Sequence, residues 1–184
     1  LNSHHIFYDR KMEKAFVTAL AKPEIHVFKL REFPYRLKKI EVPKCQMAEN
    51  IKFSEDNTKW YLSCLNSSNI YVGDTATNKI LKVIEIPGYN PHGLVILSDI
   101  DRLLLTSTIT GDFKYPGENL IEVKISTSEI INILKMSRNS SPSGVAPIEL
   151  LRIPGSEPPI IYVTNMYDAS LWTAVWDPLS KKLK

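Results

Sequence analysis

Three of the four histidines in the sequence lie where they could act together as metal ligands. His4 and His5 are adjacent near the start of the chain, and His92 stands between Pro91 and Gly93. A neutral imidazole is a ligand for copper, iron and zinc, so these side chains could form a metal site if the fold brings them together. Whether they meet depends on the elements that carry them.

Most segments of the chain are short and apolar, and residues that favour turns separate them. The segments "KWYLSCL", "NIYVGDT" and "KILKVIEIP" follow one another in this way. Short apolar runs bounded by Pro, Gly, Asn, Asp or Ser are typical of β-strands. The polar sequence "DTATN" between the last two segments predicts a hairpin turn.

The same order of segments repeats along the chain. Units that begin at His4, Ala48, Pro91 and Ser143 cover residues 4–43, 48–87, 91–136 and 143–184. A period of about 40–50 residues with four strands in each unit is the signature of a β-propeller blade. We therefore predict an all-β fold in which residues 1–184 form about four four-stranded blades of a single partial β-propeller.

The alternative interpretation of two segments is helical. The segment "DRKMEKAFVTALA" places apolar residues at helical spacing, and "STSEIINILKMS" begins like a capped helix. Both segments also fit strand positions in the four units. Because all four repeats share one phase, we favour strands for both segments.

Two stretches of the sequence resemble the repeats of the YVTN group of β-propellers. They are "YVGDTATNKILKVIEIPGYNPHGLVILSD" and the later "PIIYVTN", in which the turn "DTATN", the start "PHG" and the sequence "YVTN" match that group. The YVTN group and its relatives include surface-layer and periplasmic proteins and the propellers of nitrous oxide reductase, cytochrome d1 and amine dehydrogenases. The resemblance implies a periplasmic or extracellular propeller, whereas function depends on the particular site.

Most propellers of this kind have seven or eight blades. A propeller closes by joining its first and last blades, so an open arc of four would leave sheet faces exposed. We therefore expect this chain to be part of a seven- or eight-bladed ring, completed by further chain or by another subunit. A compact four-bladed propeller is the alternative.

In a propeller the first strand of each blade lines the central channel, which would place His4, His5 and His92 near one rim. An adjacent histidine pair at the start of a blade resembles the copper-binding propellers of nitrous oxide reductase, thiocyanate dehydrogenase and selenium-binding protein. The resemblance implies copper as a candidate cofactor. We expect His5 and His92 to lie two blades apart around one opening of the central channel. Further ligands for the metal ion would come from outside this chain.

For His92 we favour a structural role over metal binding. Pro-His-Gly recurs in YVTN repeats as a turn in which the glycine allows a tight backbone and the imidazole packs locally. In that case His92 would turn into its own loop rather than towards a channel.

Two functions are compatible with these patterns. The first is a binding or scaffold module that holds a protein or a small-molecule ligand at the channel rim. The alternative is the propeller domain of a periplasmic copper-dependent oxidoreductase. The sequence contains no nucleophile elbow, phosphate loop, zinc-protease motif or haem-attachment motif, which favours the binding module.

Composition makes two other classes of partner unfavourable. The formal net charge is +3, and the basic residues are spread thinly, so we predict no nucleic-acid-binding face. No apolar segment approaches the length of about 20 residues that a membrane-spanning helix needs. We therefore expect no membrane span.

The two cysteines, Cys45 and Cys64, lack the spacing of a redox or metal motif. Cys64 falls in the apolar second strand of its unit, whereas Cys45 falls in the connection that precedes the first strand. We therefore predict that they do not form a disulfide.

Overall fold

The computed structural model describes residues 3–110, 114, 116–136 and 145–184. Within these ranges the chain consists of β-strands and turns, with one 3-10 helix at Ser98–Ile100 and no α-helix. The predicted all-β fold is confirmed, and both segments with helical spacing are strands. The predicted start of the fourth unit, Ser143, lies outside the described residues. Among the described residues, no helix is both long and apolar enough to cross a membrane.

The strands form four antiparallel sheets of four strands each, and the strands of every sheet follow sequence order. We number these sheets blades 1 to 4. Blade 1 contains β1 (Ser3–Tyr8), β2 (Lys14–Ala19), β3 (Glu24–Lys29) and β4 (Leu37–Glu41). Blade 2 contains β5 (Ala48–Phe53), β6 (Lys59–Cys64), β7 (Asn69–Asp74) and β8 (Ile80–Glu85). Blade 3 contains β9 (Tyr89–Leu97), β10 (Arg102–Thr110), β11 (Pro116–Lys124) and β12 (Glu129–Lys135). Blade 4 contains β13 (Pro147–Arg152), β14 (Ile160–Asn165), β15 (Leu171–Asp177) and the two-residue β16 (Lys182–Leu183).

The hairpin turn predicted at "DTATN" joins β7 to β8 and is held by its own side chains. The backbone N–H and the hydroxyl of Thr77 both donate to Oδ1 of Asp74, each at 2.7 Å. Asn78 adopts a left-handed backbone with φ of 61°, which asparagine tolerates better than most residues. The polar residues of the turn therefore satisfy its backbone and fix the pairing of the two strands.

The chain divides into two compact units, residues 1–87 and 88–184. The first unit contains blades 1 and 2, whose shared core includes Phe16, Ile51 and Trp60. The second contains blades 3 and 4, whose core includes Leu104 and Trp176. In each unit, apolar side chains from two successive blades pack together, so neighbouring blades are buried against each other.

The prediction of unbridged cysteines is wrong, because Cys45 and Cys64 form a disulfide with their Cα atoms 5.1 Å apart. The connection from blade 1 to blade 2 folds back along the end of β6. The backbone N–H of Leu65 donates to the carbonyl of Met47 at 3.0 Å, which holds this connection beside the end of the strand. Assigning Cys45 to the connection was correct, but the path of that connection brings it next to Cys64.

We expect the variant Cys45→Ala/Cys64→Ala to lose about 2–4 kcal/mol of unfolding free energy, because the disulfide restricts the unfolded chain. Urea denaturation of the wild type and the variant, each with and without a reductant, measures this loss. The reductant should destabilise the wild type to the level of the variant and leave the variant unchanged. Equal stability of the two oxidised proteins would contradict the structural role of the bridge.

Asp56, in the turn between β5 and β6, gives a pH-dependent contribution to stability. The hydroxyl of Ser54 donates to its carboxylate at 2.6 Å and the backbone N–H of Thr58 at 3.0 Å. These hydrogen bonds lower the pKa of Asp56 from 3.8 to about 2. Because the folded-state pKa is depressed, the contribution is present above pH 3.8 and is lost as the pH falls towards 2.

The variant Asp56→Asn should therefore be less stable than the wild type at pH 7, and the difference should shrink between about pH 4 and pH 2. Denaturation midpoints across this range measure the difference. The variant Glu41→Gln, which removes an exposed carboxylate on β4 outside this turn, is the control. A stability difference for Asp56→Asn that stays constant with pH would contradict the assignment.

Candidate functional site

A β-bulge interrupts the first strand of every blade. In blade 1, Ser3 pairs with Ala19 and Ile6 pairs with Val17, so that His4 and His5 together face Thr18. The same irregularity places Glu49 and Asn50 opposite Ser63, His92 and Gly93 opposite Thr106, and Ile148 and Glu149 opposite Thr164. In each blade two residues of the first strand therefore face one residue of the second strand.

A hydroxyl group stabilises each of these bulges. The residue opposite the bulge is Thr or Ser in all four blades, and its Oγ accepts a hydrogen bond from the backbone N–H of the second bulge residue. The donor–acceptor distances are 3.2 Å from His5 to Thr18, 3.0 Å from Asn50 to Ser63, 2.8 Å from Gly93 to Thr106 and 3.2 Å from Glu149 to Thr164. A bulge disrupts the strand ladder, and a buried N–H needs another acceptor. The hydroxyl provides that acceptor.

The bulge in blade 1 explains how two adjacent histidines come to lie together. Successive side chains of a regular strand point to opposite faces of the sheet. Here the imidazole rings of His4 and His5 are stacked, with centroids 3.8 Å apart and planes inclined at 26°. The His5 ring also meets the ring of Phe7 edge to face at 5.8 Å.

Glu49, the first bulge residue of blade 2, joins this histidine pair. Its Oε2 lies 3.2 Å from Nδ1 of His4, and its side chain is 4% exposed whereas that of His4 is 30% exposed. Possible ligand atoms of His4, His5 and Glu49 all lie within 4.8 Å of one another. The sequence prediction missed Glu49, although Glu49 occupies in blade 2 the bulge position that His4 occupies in blade 1.

The surroundings of His4 favour the neutral imidazole. Burial lowers the pKa of His4 below its ordinary value of 6.5, because desolvation disfavours the charged form, and the charge of His5 adds to this effect. A neutral imidazole retains the lone pair with which it can accept a hydrogen bond or bind a metal. The carboxylate of Glu49 lies next to this group and supplies the negative charge of the cluster.

His92 is the first bulge residue of blade 3, so its counterpart in blade 1 is His4 and not His5. The sequence comparison therefore paired His92 with a residue one position too late in blade 1, because the sequence repeats alone did not reveal the bulge. Nδ1 of His92 lies 3.7 Å from Oε1 of Glu149 in blade 4. His92 belongs to the second compact unit, whereas His4 and His5 belong to the first. That the three histidines lie around one opening stays a prediction.

Gly93 is required where blades 3 and 4 approach each other at their bulges. A Cβ atom on Gly93 would lie 2.1 Å from the carbonyl oxygen of Ile148, which is closer than any side chain could pack. The hydroxyl of Thr106, which accepts from Gly93, also donates to this carbonyl at 2.8 Å. One threonine thus fixes the bulge of blade 3 and links it to the bulge of blade 4.

Comparison with solved structures identifies the fold. The periplasmic gluconolactonase of Pseudomonas aeruginosa is 15% identical, with a TM-score of 0.71 over 98% of this chain and 52% of that chain. The WD40 repeats of RRP9 are 13% identical, with a TM-score of 0.71 over 100% of this chain and 50% of that chain. A hypothetical selenium-binding protein of Sulfolobus tokodaii is 12% identical, with a TM-score of 0.76 over 100% of this chain and 49% of that chain.

These similarities define the class of the protein as a partial β-propeller. The chain spans about half the length of the structures that it matches. No protein-family model and no curated protein matches the sequence. At identities of 12–15% the likeness concerns the fold, and the chemistry has to be inferred from this chain's own residues.

We expect Thr106→Val to lower the unfolding free energy by about 1–3 kcal/mol, because the N–H of Gly93 loses its acceptor in a buried position. The exposed Thr173 on β15 provides a matched control, and Thr173→Val should change stability by less than about 0.5 kcal/mol. Urea denaturation of both variants measures the difference. Indistinguishable midpoints for the two variants would contradict the role of the hydroxyl.

Proposed function

We propose that this chain is a binding module of a YVTN-type β-propeller, which holds a protein partner at the end of the blades where the bulges lie. The observation that carries this proposal is the repetition of the bulge. It places imidazole and carboxylate groups at the bulge of the first strand in each blade: His4, Glu49 and His92 are first bulge residues, and Glu149 is the second bulge residue of blade 4. Within each compact unit, polar groups held on rigid strands at one end of the blades form a pre-organised binding surface.

Exposed apolar side chains at the same end of blade 4 favour a protein partner. Met166 and Tyr167 follow β14 directly, and the side chain of Tyr167 is 66% exposed. Their backbone N–H groups donate to the carbonyls of Ala146 and Val145 at 3.1 and 3.2 Å, which fixes this turn against the connection that precedes β13. Tyr and Met are enriched at protein interfaces. The combination of fixed backbone and exposed aromatic surface suits an interface.

The variant Tyr167→Ser should weaken partner binding at least tenfold, since exposed tyrosines that anchor an interface contribute more than about 1.4 kcal/mol. The matched control is Phe33→Ser, which removes an 88% exposed aromatic side chain from the β3–β4 connection at the opposite end of blade 1. Binding of the partner purified from the source's extracytoplasmic fraction, measured by calorimetry, compares the two. Loss of affinity in Phe33→Ser with none in Tyr167→Ser would contradict the proposed surface.

We also propose that the protein acts in the periplasm or outside the cell. The disulfide between Cys45 and Cys64 supports this location, because structural disulfides persist mainly in oxidising compartments. Cell fractionation combined with alkylation of free thiols tests it. The protein should be found outside the cytoplasm with both thiols resistant to alkylation, and a cytoplasmic, fully alkylated protein would contradict the proposal.

The remaining blades of the ring form part of the same proposal. Because the chain spans about half of each structure that it matches, further chain or a second subunit would complete a seven- or eight-bladed propeller. The neighbouring blades are then the first partners of this chain.

A copper-dependent oxidoreductase is the second candidate function. The observation that favours it is the grouping of His4, His5 and Glu49, since two imidazoles are suitable ligands for copper. An enzyme of this class should retain one copper ion per chain through repeated chemical reduction and re-oxidation. Copper that is lost on reduction, with partner binding unaffected, would favour the binding module.

A further inference from the structure

We propose that His4, His5 and Glu49 together bind one divalent transition-metal ion. The ligand set joins the bulges of two successive blades and lies entirely within the first compact unit. It differs from the set of His4, His5 and His92 expected from the sequence, because a carboxylate replaces the third imidazole. The inference concerns metal binding alone and does not depend on the proposed protein partner.

The distances suit a metal ion once one of the two stacked imidazole rings turns towards it. With bonds of about 2.0–2.1 Å, adjacent ligand atoms of a tetrahedral or octahedral ion lie about 2.8–3.4 Å apart. The 3.2 Å between Nδ1 of His4 and Oε2 of Glu49 already falls in this range. The ligand atoms of the three residues lie within 4.8 Å of one another, so rotation of the His5 side chain to another rotamer completes the set.

The chemistry of the three ligands selects the class of ion. Calcium and magnesium are bound through oxygen atoms, whereas imidazole suits zinc, copper, iron and nickel. Two imidazoles and one carboxylate leave one or more coordination positions for solvent or a further ligand. The 30% exposure of the His4 side chain gives the metal a route to solvent.

The fold holds these ligands on rigid elements. The backbone N–H of His5 donates to Thr18 and that of Asn50, next to Glu49, donates to Ser63, so both ligand-bearing bulges are fixed. The carboxylate of Glu49 is also almost completely buried.

Calorimetric titration of the tag-free 184-residue protein with Zn²⁺, and absorption spectroscopy with Co²⁺, test the proposal. We expect one ion per chain and Co²⁺ bands that report nitrogen ligands. The variants His4→Ala, His5→Ala and Glu49→Gln should each weaken binding at least about 100-fold, because loss of a direct ligand should cost no less than the 10–100-fold typical of outer-shell residues. The matched control Glu41→Gln removes an exposed carboxylate of the same unit and should bind as the wild type does.

Two results would overturn the proposal. Full affinity in Glu49→Gln would show that the ions bind an exposed histidine pair adventitiously. A loss in His92→Ala as large as that in His5→Ala would show that the ligand set is wrong. Circular dichroism of each variant verifies that it folds. If Glu49→Gln is unstable, His5→Ala still tests the proposal, because an alanine at position 5 keeps the backbone N–H that donates to Thr18.

Discussion

A bulged strand has a backbone N–H that the regular ladder does not satisfy, and in this protein a hydroxyl from the neighbouring strand accepts it in every blade. Thr18, Ser63, Thr106 and Thr164 share this role. In blades 2 and 3, where this N–H is buried, loss of the acceptor would cost about 1–3 kcal/mol. The hydroxyl therefore makes the bulge a stable part of the blade, and the direction of the side chains at the start of each first strand depends on it.

The candidate site follows from this constraint. Without the bulge, His4 and His5 would point to opposite faces of the sheet, whereas with it their rings stack and meet Glu49 from the next blade. In the second unit the same geometry brings His92 to Glu149 and makes Gly93 necessary for the approach of blade 4. A histidine at the bulge of one blade thus meets a glutamate at the bulge of the next blade in both units. Disulfide formation between Cys45 and Cys64 fixes the connection that leads into the bulge of blade 2.

Much of the fold could be predicted from the sequence, because strand length, turn residues and the repeat period are local properties. The hairpin at Asp74–Asn78 has its signature in five consecutive residues. The site was harder to predict, since a bulge depends on how two strands pair and shifts every later side chain by one position. Glu49 was missed for this reason, and the equivalent of His92 was taken to be His5. The disulfide was missed because it depends on the path of a connection, which has no periodic pattern.

The distance between the imidazole rings of His4 and His5 tests most directly whether the hydroxyl opposite the bulge positions the site. Nuclear Overhauser contacts between the two rings can be measured in the wild type, in Thr18→Ser, which keeps the hydroxyl, and in Thr18→Val, which keeps the shape without it. We predict ring contacts in the wild type and in Thr18→Ser, and their loss in Thr18→Val as β1 returns to regular alternation. Stacked rings in a folded Thr18→Val variant would contradict the account.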